Sequence, residues 1–154
     1  MHTTLLFIHS ILRWVIVLAG IWAVLRAWKG VSNKTPFTAS DNKAGLFYMI
    51  FLDVQLLVGL VLYFATSVLT KAALSDMGAA MKTPELRFWS VEHLTMAIIA
   101  IVLAHVGRSK VKKAGTDAQK HKKGLVFYGL SFLVVVLLVV MVIGKGRGWL
   151  PSLS

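Results

Sequence analysis

Four long apolar runs joined by short basic connections constrain this 154-residue chain more than any other feature. They cover roughly residues 5–27, 45–65, 88–106 and 124–143. Each approaches the ~20 residues with which an α-helix, rising 1.5 Å per residue, crosses about 30 Å of hydrocarbon. Membrane strands would alternate polar and apolar residues, and these runs do not. In lipid, each segment must satisfy its own backbone hydrogen bonds, so helices follow. The expected fold is all-α: one four-helix transmembrane bundle across residues 1–154, with nothing left over for a second domain.

Composition agrees. Charged residues make up 15% of the chain and hydrophobic ones 57%, against about 25% charged in soluble domains. The net charge of +11 does not indicate nucleic acid, because the basic residues lie between apolar runs, where anionic lipid headgroups are the natural partner. The connections after the first and third runs hold Arg26, Lys29, Lys34, Lys43, Arg108, Lys110, Lys112, Lys113, Lys120, Lys122 and Lys123, eleven in all. The opposite side holds five: Lys71, Lys82, Arg87, Lys145 and Arg147. The positive side is expected to be cytoplasmic, which puts both termini outside an inner membrane. The N-terminus does not read as a cleavable signal, since it lacks a basic start and Arg13 interrupts the apolar stretch. Within the second connection, Leu69–Met81 is amphipathic enough for a short interfacial helix. Trp14, Trp22, Trp28, Trp89 and Trp149 sit near span ends, as interfacial anchors do.

Cysteine is absent, so disulfides, iron–sulfur clusters and thiolate ligands are excluded. The methionines form no cluster that suggests copper. No nucleotide loop, Ser–His–Asp set or metalloprotease His pair is present. Chemistry then falls to the ionisable residues inside the spans, each of which costs about 2.5–3.5 kcal/mol on insertion scales. His9 and His93 lie on different spans at matched depth, roughly 6–8 Å below the outer edge. Two imidazoles facing across a bundle are the ingredients of a bis-histidine haem b; equally, each ring can simply hydrogen-bond a neighbouring helix. His105, about 18 Å further along and about 120° around from His93, cannot share that site. His105 and His121 are candidates for a second haem, although His121 lies in Lys120–Lys123, which reads more simply as a solvated basic patch.

Arg13, one turn after His9, is a candidate partner for a haem propionate or for Asp53 on the second span. Glu92 either orients an imidazole or sits at the interface. Gly20 and Gly59 leave room for close helix packing or for a flat ring, packing being the default.

The segments Leu6-Phe7-Ile8-His9-Ser10-Ile11-Leu12-Arg13-Trp14, Gln55–Phe64, Phe88-Trp89-Ser90-Val91-Glu92-His93, Ala104-His105-Val106-Gly107-Arg108 and Lys120-His121-Lys122-Lys123 resemble those of short bacterial four-helix membrane proteins labelled cytochrome b. The resemblance covers most of the chain and implies haem ligation by His9 and His93. Some such proteins carry His where this chain has Asp53, so a ligand set using the second span is not open to it. The expected function is electron transfer through haem b, as an oxidoreductase or an electron-transfer subunit. Quinone or a periplasmic protein would be the redox partner, alone or within a homo-oligomer or larger respiratory assembly. The alternative is a haem-free accessory or scaffold subunit of a membrane complex. A transport protein with a polar path through His9, Arg13, Asp53 and Glu92 is a third reading, against which the lack of repeats counts.

Overall fold

A computed structural model describes residues 2–66 and 68–147. Among these it is helical nearly throughout, without strands. Helix α1 spans His2–Asn33 and α2 Ala39–Val61, the latter continuing through a π-helical turn at Leu62–Thr66. Short helices follow at α3 (Val68–Ser75), α4 (Met77–Lys82) and α5 (Pro84–Arg87). A second π turn, Phe88–Glu92, leads into α6 (His93–Lys113); α7 (Asp117–Val142) ends in a third, Ile143–Arg147. Four of the helical stretches are long and apolar enough to cross a membrane: 3–33, 39–64, 84–113 and 117–145. The expected all-α bundle of four spans is therefore found. Trp149 lies outside the described residues.

The spanning helices form a ring in which α1 packs on α2 and α7, and α6 closes it against α7 and, over a shorter stretch, α2. Diagonal positions thus belong to α1 with α6 and to α2 with α7. Lipid tails are as apolar as Leu, so the hydrophobic effect does not hold such helices together; packing and hydrogen bonds do. Tyr48, fully buried on α2, packs edge-on against Tyr128 and Phe132 of α7. A Cβ on Gly20 would collide with Phe132 and touch Tyr48 at 3.0 Å, so this glycine serves close packing, as expected. The Tyr48 hydroxyl lies 2.8 Å from Ser131 Oγ, which donates to the Ala100 carbonyl at 2.7 Å. Ser131 has a single proton and gives it to Ala100, so Tyr48 is the donor to Ser131. This buried relay ties α2, α7 and α6 together.

The connections at the basic end are shorter than the sequence suggests. Helices α6 and α7 run on through residues read as loop and leave only 114–116 between them. Charge keeps a segment out of hydrocarbon without stopping it from being helical, so apolar runs underestimate helix length. Arg26 links the first connection by donating to the Asp41 carboxylate at 2.7 Å, and Asp41 accepts the Thr38 backbone N–H at 2.8 Å to cap α2. Helix α1 ends with Lys34 at φ 54°, the left-handed position more often filled by Gly or Asn. At the opposite end, the interfacial helix expected over Leu69–Met81 is divided in two. Asp76 stops it and caps α4 by accepting from the Ala79 N–H at 3.1 Å.

Candidate functional site

All three π turns lie at the end of the bundle away from the basic connections, beside a cavity of about 160 Å³ between the four long helices. A π turn inserts one residue per turn and re-aims the side chains that follow, which is why such turns gather at functional sites. Here the His93 N–H bonds back to the Phe88 carbonyl, and the widened turn delivers Trp89 and His93 to the cavity wall. Tyr63, from the π turn after α2, donates to the Ser90 carbonyl at 2.7 Å and pins two of the turns together. Trp89, expected as an interfacial anchor, also lines the cavity, with its ring 5.7 Å from His93. Its indole N–H donates to Glu85 at 3.1 Å.

His9 and His93 both line this cavity. They come from the diagonal pair α1 and α6, and their ring centroids lie 6.2 Å apart with the planes inclined at 42°. The depth match read from the sequence thus becomes a contact across the middle of the bundle. Gln55 holds His9 in place: its amide nitrogen donates to the His9 carbonyl at 2.9 Å and lies 3.1 Å from Nδ1. Gln55 thus meets the His9 ring on its Nδ1 side. A Cβ on Gly59 would sit 3.3 Å from the ring's Nε2. Gly59 therefore lets the His9 ring lie close against α2, a packing role like that of Gly20. The Gln55 Oε1 is buried and has no hydrogen-bond partner.

Arg13 also lines the cavity, is 8% exposed, and carries its guanidinium carbon 5.3 Å from the Trp14 ring centroid. The Arg13–Asp53 ion pair considered from the sequence does not form. Asp53 precedes Gln55 by two residues, about 200° around the helix, so it points away from the cavity that Gln55 faces. Its partner is His105, with Oδ1 and Nε2 2.7 Å apart. Glu92 pairs with Arg87 at 2.8 Å, both partly exposed, as an interfacial residue would.

His105 and His121 are not brought together. His105 is committed to Asp53 between α6 and α2, whereas His121 is 1% exposed and its Nε2–H donates to the Thr35 carbonyl at 3.0 Å. The reading of His121 as part of a solvated patch is corrected. Its ring fills the space over Gly30 and stacks near Phe37 at 5.4 Å, while Lys122 on the same turn is exposed. Arg108, read as a loop cation, is likewise 6% exposed and donates to the Asn42 carbonyl at 3.2 Å. In both cases burial follows from the extension of α6 and α7 past the apolar runs.

Among the described residues no three His, Cys, Asp or Glu side chains gather as a metal-ligand group. The cavity offers two imidazoles, a guanidinium, an amide and apolar walls. No family model matches the chain, and neither a curated protein nor a solved structure does.

Proposed function

We propose that the protein is a membrane-bound b-type cytochrome, with one haem held by His9 and His93 near the end of the bundle opposite the basic connections. The observation that carries this reading is the 6.2 Å between the two ring centroids. Imidazoles on either side of one metal, with metal–nitrogen distances of about 2.0 Å, place their ring centres about 6 Å apart. A bare ion would find too few protein ligands here, whereas a haem iron, which brings nitrogen ligands of its own, would need only two from the chain. The largely apolar walls around the two imidazoles suit the faces of a haem. The relation to cytochrome b proteins, resting on sequence segments, is part of the same proposal.

Bound haem supplies a one-electron couple. The chain's own residues do the rest. His9 and His93 would each ligate the iron through a ring nitrogen, and Gln55, bonded to the His9 carbonyl and 3.1 Å from Nδ1, would orient the His9 ring. Arg13 is placed to hold a carboxylate against the cavity floor. Leu52, Ala100 and Val135 exclude water below it. By the distribution of basic residues the site lies near the outer face of a cytoplasmic membrane, where quinone or a periplasmic protein would exchange electrons.

A reduced-minus-oxidised spectrum of protein purified from haem-replete cells tests the proposal. A b-type α band is expected, lost in both His9→Ala and His93→Ala while circular dichroism stays helical. A colourless wild-type preparation would overturn it and leave the accessory-subunit reading in its place.

A further inference from the structure

The His105–Asp53 pair has no place in the haem proposal and raises a problem of its own. Asp53 lies fourteen residues into the span 39–64, about 21 Å from one end and about 16 Å from the other. His105 lies eight residues before the end of the span 84–113, about 12 Å in. Ionisable side chains at such depth almost always face a bundle interior or a water-filled cavity. This pair faces outward. Its side chains are 48% and 39% exposed, on the flank where α2 and α6 meet most loosely. Around it the exposed residues are apolar, among them Ile50, Val54, Ile98 and Val102.

The chemistry of the pair says what covers it. In hydrocarbon the form without net charge is the least costly. Wherever the protons sit in that form, one of the two outer atoms, His105 Nδ1 and the second carboxyl oxygen of Asp53, is a donor and the other an acceptor. Neither makes a hydrogen bond within the chain among the described residues. A donor and an acceptor side by side form a self-complementary surface: a two-fold copy brings its own acceptor to the donor and its own donor to the acceptor. We infer that the α2–α6 flank is a homodimer interface, in which a second copy of this chain completes the His105–Asp53 pair by reciprocal hydrogen bonds inside the bilayer.

The inference is independent of haem and is tested on the apoprotein expressed alone and placed in lipid nanodiscs. Mass measurement should give twice the 16.9 kDa of one chain. The chain has no cysteine, so a single introduced thiol reports its own neighbourhood. Val102→Cys should be joined between copies by a short bifunctional maleimide, and Leu18→Cys, on the outer face of α1, should not. Single substitutions at Asp53 or His105 strand a polar partner and threaten folding, so the decisive variant removes both. Asp53→Leu with His105→Leu should keep the helical spectrum and weaken dimerisation at least tenfold. A monomeric wild type, a double variant as dimeric as the wild type, or equal crosslinking at positions 18 and 102 would each overturn the inference.

Discussion

The contact between Gln55 and His9 yields a prediction that needs no cofactor. The Gln55 amide donates to the His9 carbonyl at 2.9 Å and meets Nδ1 at 3.1 Å. A donor aimed at Nδ1 makes that nitrogen an acceptor and leaves the proton of the neutral ring on Nε2. Gln55→Leu keeps an apolar stem of similar bulk and removes both bonds. Hydrogen bonds between membrane helices are worth about 0.6 kcal/mol on average, so about 1 kcal/mol is lost. The substitution also removes Oε1, which is buried without a partner, a defect of about 1 kcal/mol or more. Overall stability should therefore stay within about 1 kcal/mol of wild type. The tautomer should not. Losing one bond of about 0.6 kcal/mol reduces the preference for Nε2–H about threefold. Nitrogen-15 spectra of ring-labelled His in detergent read this directly. Haem affinity should fall as well, by roughly ten- to a hundredfold, the usual consequence of removing the group that orients a ligating imidazole. An apoprotein in which His9 carries its proton on Nδ1, unchanged in Gln55→Leu, would refute the reasoning whatever the haem result.

Three further outcomes follow from the packing. Ser131→Ala should destabilise more than Tyr48→Phe, by about 1 kcal/mol. The first strands a buried Tyr48 hydroxyl, whereas the second leaves Ser131 still bonded to Ala100. Equal losses in an unfolding titration would contradict the assigned direction of the relay. Gly30→Ala places a Cβ into the His121 ring; overpacking of about 1–3 kcal/mol should outweigh a helix-propensity gain of about 1, so the midpoint of thermal unfolding falls. Gly129 has open space around it, and Gly129→Ala, which takes only the gain, should raise the midpoint or leave it unchanged.

Much of this protein was legible without a structure. Long apolar runs can satisfy their backbones in lipid only as helices, so the number of spans and the fold class followed from hydropathy. The rise per residue fixed depth along each helix, and depth alone put His9 level with His93 and kept His105 away from both. What periodicity along single helices cannot give is their rotation about their axes and their order around the ring. Tertiary packing decided that α1 and α6 stand diagonally, which turns two level imidazoles into a facing pair. It also turned Asp53 outward to His105 instead of inward to Arg13, and set Trp89 against the cavity through a π turn. Gln55 carried a faint signal, as an amide in an apolar span one turn from Gly59. Its hold on His9 depends on how α2 sits against α1, and no spacing within either helix encodes that. His121 and Arg108 were misjudged because charge in a sequence marks where hydrocarbon ends, whereas burial depends on how far the neighbouring helices continue beyond it.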